Sequence, residues 1–431
     1  MKPHTRYLAG EKIMYYSMLY FAAVLPFQFR ILSPTIGIIG ILLGWLISFR
    51  PRLAFHSLRT NAPLLAVFAL LLLGGVSYFY TENTSEWGRL MVLKLPTLLL
   101  PMALGTSAQF KPRHRKQFLL TFAFATAFSC LILFSTGLYR YLQDPSQNYF
   151  YHQAFVVYNL ISVHYFSMYC IFAFMVLLYY YQKERPVPMT FRIGYGLSFM
   201  LLMGALYSGA ARMQIATFLI VALIYITWYF TSRKKWQKLI FYQTLVMIVL
   251  GGLVMLVPSS RKRVVETYRE WMVWEGKSDD YQTNHRVFIW RDALKVIEEN
   301  PLRGTGLGTA DEALYEYLKL ETAEFWRGNE PYTLAETQYN YHNSYLQHFA
   351  ALGLPGFIFL ISALIWPFFK WGHYPFITYI FLITIGISFI TESMLERQAG
   401  TLFFAFMLAV LVTNLSRPVR PSALAHHKKP A

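Results

Sequence analysis

The chain has 431 residues, of which 55% are hydrophobic, 18% aromatic and 14% charged, with a formal net charge of +17. That apolar fraction exceeds what a soluble core requires, which excludes a soluble globular domain and points to a polytopic membrane protein. The 39 Lys and Arg residues are spread over many short segments and form no single basic patch, so no nucleic-acid partner is expected.

A helix needs about 20 apolar residues to cross the hydrocarbon of a bilayer. Twelve segments meet or approach that length, some of them short or interrupted. In chain order they run about 13–29, 31–49, 63–80, 89–106, 117–138 and 160–181, then 193–208, 213–230, 239–257, 345–368, 374–390 and 400–415. Met1 to Lys12 is a basic leader, but the apolar stretch behind it lacks a small-residue cleavage site and meets the second span almost at once. It reads as an uncleaved first helix.

Short loops rich in Lys and Arg stay on the cytoplasmic side. With the N-terminus inside, the inner tails and loops carry 22 Lys and Arg, whereas the short outer loops carry Arg30, Arg89, Arg140, Arg212 and Arg397. Both termini are therefore expected in the cytoplasm, with 416–431 as a basic tail whose last residues, Ala425 to Ala431, are expected to be disordered. Residues 1–194 form an N-terminal set of six helices, and 195–415 a second membrane unit that includes a long outer loop, 258–342. This loop holds 11 Lys and Arg against 15 Asp and Glu and contains helix-period stretches at Arg286 to Glu299 and Asp311 to Phe325. It is too long to be structureless and is expected to fold as a small helical cap. The expected fold is thus an all-α polytopic membrane protein of about twelve transmembrane helices, with one large, mostly helical loop between the ninth and tenth spans. A shorter outer loop, Tyr139 to Asn159, is rich in Tyr and Gln and reads as an interfacial aromatic belt before a lid.

Cys130 and Cys170 both fall inside predicted spans, so neither a disulfide framework nor a cysteine metal site is expected. The chain contains no His-Glu-x-x-His, no metal-spaced carboxylates and no Gly-x-Ser-x-Gly, and no metal or cofactor is expected. Pro301 to Gly308 is glycine-rich like a phosphate loop, but it follows a helix and lacks the Gly-Lys-Ser/Thr ending. It reads as a turn.

Three polar residues fall on the outer side at the membrane boundary. Arg212 opens a span after Ser208-Gly209-Ala210-Ala211, on the side that the charge bias depletes; the bland alternative is an arginine that snorkels to the headgroups. Arg286 follows Thr283 and Asn284, plausible caps of the helix that ends at Asn300-Pro301. A guanidinium beside the free N–H groups of a helix start would converge on an anion, phosphate above all; the alternative is a surface arginine paired with an acid such as Asp280. His342 precedes Asn343, with Tyr339 and Leu346 flanking it, and after nine residues come Gly353 and Gly356, which permit close backbone approach. An imidazole titrates near neutrality and can take a proton from a sugar hydroxyl, although a lone histidine is more often simply interfacial. Lys94 lies inside the fourth span, where a charge costs about 2.5 to 3.5 kcal/mol on the insertion scale. It either faces a cavity, extending with Arg89 a cationic path for a lipid-borne phosphate, or snorkels. Glu392 and Glu396 read as partners of Arg397 or of an outer-face arginine.

The stretch Arg286 to Pro301, the Gly304-Thr305-Gly306 turn, His342-Asn343 with Gly353 and Gly356, and Glu392 to Gly400 together resemble the O-antigen ligase and polymerase superfamily. The resemblance covers about residues 195–415, and the first half by span count alone. It implies an enzyme that transfers polysaccharide from an undecaprenyl pyrophosphate donor to a lipid A core acceptor at the periplasmic face of the bacterial inner membrane, without metal or ATP. It carries the essential histidine onto His342 and the two arginines onto Arg212 and Arg286; Ala216 stands where the family often has Leu. Lys94 and Arg89 are added as candidate pyrophosphate contacts, Asn343 and Tyr339 as supporting residues. A polymerase extending the repeat on the same carrier, and a protein O-oligosaccharyltransferase, would need the same arginines; the single large outer loop favours the ligase. A transporter would carry charges near the bilayer midplane and paired broken helices, whereas the candidates here cluster at the outer face.

Overall fold

In the computed structural model, each of the twelve apolar segments coincides with helix. Residues 3–413 are described, except 28–32, 106–110, 157–160, 185, 210, 257–264, 266–267, 270, 276, 278–284, 322–323, 328–329 and 337. The first half comprises α1 (Pro3–Val24), α2 (Pro34–Ile47), α3 (Pro51–Thr60), α4 (Ala62–Val76), α5 (Thr84–Lys94), α6 (Pro96–Gly105), α7 (Pro112–Gln143) and α8 (Val163–Lys183). The second comprises α9 (Met189–Gly209), α10 (Arg212–Thr231), α11 (Trp236–Leu256), α12 (Arg286–Glu299), α13 (Ala310–Leu318), α14 (Ser344–Phe369), α15 (Phe376–Thr391) and α16 (Gln398–Val412). Proline opens α2, α3, α6 and α7, a position where its missing N–H has no intrahelical partner to lose.

Among the described residues, seven helical segments are long and apolar enough to cross a membrane, and α2, α15 and α16 are shorter apolar helices. Large apolar side chains such as Met200, Tyr207, Ile240, Phe241 and Ile248 are exposed on α9 and α11, as a lipid-facing surface requires. At the centre, α16 is apolar on every side and buried from Ala399 to Val412, the pattern of a fully enclosed helix. Its Phe403 ring stands 5.6 Å from Phe122 of α7, 4.7 Å from Tyr169 of α8 and 5.8 Å from Phe381 of α15.

The fourth predicted span is not one straight helix: Pro96 supplies no N–H, so the segment divides into α5, ending at Lys94, and α6. The connection 50–62 carries α3, an amphipathic helix that the hydropathy pattern did not single out. In the large loop, the predicted helix Arg286–Glu299 is α12, whereas the one expected over Asp311 to Phe325 ends at Leu318. Glu324–Arg327 pairs instead with Glu330–Thr333 in an antiparallel hairpin, so the loop is mostly but not wholly helical. Thr283, Asn284, Asp280, Arg30 and the basic tail 416–431 lie outside the described residues.

The loop is clasped to the membrane bundle by a backbone junction that explains the glycine spacing. Pro355 in α14 has no N–H to offer Ala351 four residues back, and the helix breaks at Gly353 (φ 64°, ψ −166°). The stranded carbonyls are taken over by the glycine-rich turn: Thr305 N donates to Ala350 O (2.8 Å) and Gly306 N to Ala351 O (3.0 Å), while Leu354 N donates to Pro301 O (2.8 Å). A Cβ on Gly304 would sit 2.5 Å from the Ala351 carbonyl carbon, and one on Gly353 would sit 2.2 Å from Leu302 O. On its other side the turn meets Thr81, whose Oγ1 accepts from Gly308 N at 3.0 Å. Pro301 to Gly308 is therefore a clasp between backbones, not a ligand loop.

Candidate active site

Glu392 ends α15 in an extended conformation and is the point on which four elements converge. One of its oxygens, Oε1, accepts from Arg286 Nη2 at 2.5 Å and lies 3.7 Å from His164 Nε2; the other, Oε2, lies 3.6 Å from His342 Nδ1. Arg286 is the first residue of α12, His164 lies in the first turn of α8, and His342 immediately precedes the N-cap of α14. Burial alone would raise the Glu392 carboxyl, but the contact to His342 and the charges of Arg286 and His164 outweigh it and hold the group below the usual carboxylate range.

His342 adopts a left-handed backbone conformation (φ 45°), which is strained for a residue with a Cβ. Its surroundings impose the strain. Asn340 Oδ1 accepts from its backbone N at 3.0 Å, and Tyr341 immediately before it is buried, its carbonyl accepting from Trp290 Nε1 (3.0 Å) and its hydroxyl donating to Ala310 O (2.8 Å). Asn343 then caps α14, its Oδ1 accepting from Tyr345 N (2.9 Å) and Leu346 N (3.1 Å). This refines the sequence reading: Asn343 serves the helix start, and the polar partner of the imidazole is Glu392. Tyr339 does flank the site, its ring 6.1 Å from that of His342 and 4.9 Å from that of His285.

A second layer ties the Glu392 loop to α14. Ser344 Oγ donates to Glu392 O (2.8 Å) and accepts from Met394 N (2.9 Å). Ser393 Oγ donates to Gln347 Oε1 (3.1 Å), and Gln347 Nε2 donates to Asp311 Oδ1 (2.8 Å), which brings α13 of the large loop into the same network. Burial, aided by the charges of Glu396 and Glu86, pushes the Asp311 carboxyl up to about 6 against the opposing effects of Gln347 and Lys94. A carboxyl raised on folding favours the fold while it is protonated, and that contribution is lost as pH rises from about 4 through about 6. Asp311→Asn keeps an acceptor for Gln347 and removes the charge, so it is expected to raise Tm at pH 7.5 and leave it near wild type at pH 4, measured by thermal unfolding in detergent.

Arg212 opens α10. Two residues on, Gln214 Nε2 donates to Ser388 Oγ at 3.2 Å, one turn before Glu392 on the antiparallel α15, so Arg212 begins its helix at the level where Glu392 ends the neighbouring one. The turn that precedes it abuts α8, where a Cβ on Gly209 would lie 2.8 Å from Ser167 Oγ. Arg212, Arg286, His342 and His164 thus share one end of the bundle. The other two cations predicted for the site hold ion pairs of their own: Arg89 is bidentate to Glu86 (2.5 and 2.8 Å), and Lys94 is buried against Glu396 (2.6 Å). Neither is brought to Glu392. Sequence reasoning placed Glu392 beside an outer-face arginine without identifying its link to His342, and it missed His164, which no local motif surrounds.

The arrangement can do two things. The Nδ1 edge of His342 faces the Glu392 carboxylate, which leaves Nε2 as the nitrogen that could take a substrate proton. The arginines supply a cationic patch beside it. Glu392→Gln, which keeps the shape and removes the charge, is expected to lower kcat by about 10- to 100-fold with a smaller change in KM, as read from steady-state kinetics.

Residues 196–361 match the model of a family described as O-antigen ligase. The matched segment contains Arg212, Arg286 and His342 together with the clasp glycines, and stops short of Glu392. An uncharacterized protein of Haemophilus influenzae is 24% identical over 272 residues, covering 56% of this chain and 61% of that protein. The chain therefore spans about 61% of the length of this relative.

Proposed function

We propose, from the match of residues 196–361 to the family described as O-antigen ligase, that the chain is an inverting glycosyltransferase that moves polysaccharide from undecaprenyl pyrophosphate to a lipid A core acceptor. The observation that carries this reading is the convergence of His342 and Arg286 on Glu392, with Arg212 opening its helix at the same level. The accompanying topology has twelve spans, both termini in the cytoplasm, and the large loop and site at the periplasmic face of the inner membrane. Charge distribution supports it, since the inner segments hold 22 Lys and Arg.

Outside the cytoplasm no ATP or nucleotide sugar is at hand, so the donor must bring its own leaving group, and a lipid pyrophosphate does. Arg212 and Arg286 bind the pyrophosphate and neutralise the charge that builds on it, an interaction that strengthens towards the transition state. His342 Nε2 takes the proton of the acceptor hydroxyl as its oxygen attacks the anomeric carbon. The new carbon–oxygen bond forms on the face opposite the departing phosphate oxygen, and the configuration inverts. Glu392 holds the imidazole and the Arg286 guanidinium in register. These residues perform the steps without calling on a metal.

The surface-polysaccharide profile of a deletion strain tests the reading. Loss of polymer from lipid A core, with polymer accumulating on the lipid carrier, is expected. Cores capped by a single repeat would instead indicate a polymerase, and an unchanged lipopolysaccharide with lost glycoproteins a protein O-oligosaccharyltransferase.

A further inference from the structure

Lys94 is the last residue of α5, at the break before Pro96, and is 7% exposed. Its Nζ donates to Glu396 Oε1 at 2.6 Å and to the carbonyl of Leu395 at 3.0 Å. Both acceptors lie in the short segment between α15 and α16 that begins with Glu392. We infer that Lys94 is a positioning residue: it fixes this segment through Leu395 and Glu396 while Ser344 and Gln347 hold it through Glu392, Ser393 and Met394, and so sets where Glu392 stands against His342 and Arg286. The inference rests on the glycosyl-transfer reading above and assigns Lys94 a role other than contact with pyrophosphate.

Three features favour an anchor over a ligand contact. The ammonium already has a carboxylate at salt-bridge distance, itself 5% exposed, and two buried charges taken from water need one another. The Leu395 carbonyl also accepts from Thr401 Oγ1 at 3.0 Å, so the Lys94 contact extends a hydrogen-bonded corner that starts α16. The cavity that Lys94 lines, with Val67, Leu71, Thr97, His348 and Leu352, has room for about one water molecule, far too little for a pyrophosphate. His348 closes it from α14: its Nδ1 lies 2.8 Å from the Ser344 carbonyl, which can only accept, so Nδ1 carries the proton.

Kinetics in proteoliposomes with lipid-linked polysaccharide and lipid A core, together with hydrogen exchange of the backbone amides of 393–397 in detergent, distinguish the possibilities. Lys94→Met leaves Glu396 as an unpaired buried charge and is expected to lower kcat by about tenfold or more with donor KM within about threefold of wild type. Lys94→Met/Glu396→Met leaves no orphaned charge and is expected to return kcat to within about threefold of wild type, because an apolar pair can replace a buried ion pair. Protection of 393–397 should fall in the single variant and return in the double. A donor KM raised about tenfold in both variants would overturn the inference and make Lys94 a donor contact. Unchanged kinetics and protection in Lys94→Met would overturn it as well. Absence of transfer by the wild type would defeat the glycosyl-transfer reading alone, since the exchange measurement still decides whether Lys94 anchors the segment.

Discussion

Alanine at position 342 is expected to lower kcat for polysaccharide transfer by about 10²- to 10⁴-fold, the range that a positioned general base contributes. The donor KM should change far less, because the arginines proposed to take the pyrophosphate remain. The expectation follows from the position of the ring: Nδ1 lies 3.6 Å from Glu392 Oε2, and Nε2 is the nitrogen proposed to take the proton of the acceptor hydroxyl. It also follows from the backbone. A left-handed conformation at a histidine is retained against its own strain, with Trp290, Asn340 and the capped start of α14 holding it in place. Glutamine at 342 should be nearly as inactive as alanine, since an amide can hydrogen-bond but cannot take up the proton. Single-turnover measurements at saturating donor would separate this loss of chemistry from any loss of binding.

The largest expected effect on the fold is that of Gly353→Ala. The added methyl would lie 2.2 Å from the Leu302 carbonyl oxygen, a backbone atom with little freedom to retreat, at a residue whose φ of 64° and ψ of −166° are reserved for glycine. Relief would require parting the turn from α14, which breaks the hydrogen bonds of Thr305, Gly306 and Leu354 across the clasp. Gly306 and the carbonyl-bearing Ala350 and Ala351 are buried, and an unpaired buried backbone group costs about 1 to 3 kcal/mol. The substitution is therefore expected to remove most folded protein, read as loss of the monodisperse peak in detergent and a lowered Tm. Ala at Gly372, whose φ is also positive but whose Cβ would meet nothing within 4 Å, should cost far less, about 1 kcal/mol. The contrast separates close approach from backbone strain.

These two residues also show what a sequence can and cannot disclose. Helices were legible wherever apolar runs are long, because hydrocarbon length and backbone satisfaction leave a spanning segment few alternatives. The α12 helix was legible to the residue from its amphipathic period and from Asn300-Pro301 behind it. The hairpin at Glu324–Arg327 was not, since four-residue strands give too short a pattern to distinguish from the end of a helix. At the site, His342, Arg286 and Arg212 were each conspicuous as polar residues at a membrane boundary. Their meeting point was not, because Glu392 is 106 residues from Arg286 and the loop that carries it has no motif of its own. Lys94 misled for a related reason: a cation in a span looked available for a substrate, and Glu396, the partner that occupies it, lies 302 residues away. Gly353 was noticed for its spacing, but the reason for that spacing is the missing N–H of Pro355, whose carbonyl partner is served from another part of the chain.

The central claim is that a carboxylate-held histidine and two arginines transfer a glycan from a lipid pyrophosphate to a hydroxyl acceptor. Incubation of the purified chain in proteoliposomes with undecaprenyl-pyrophosphate-linked polysaccharide and lipid A core, in the presence of a metal chelator, tests it most directly. Polymer joined to lipid A core with inverted anomeric configuration and release of undecaprenyl pyrophosphate are expected, both lost in Arg286→Ala and His342→Ala. Transfer that proceeds unchanged in His342→Ala, or a product with retained configuration, would contradict it.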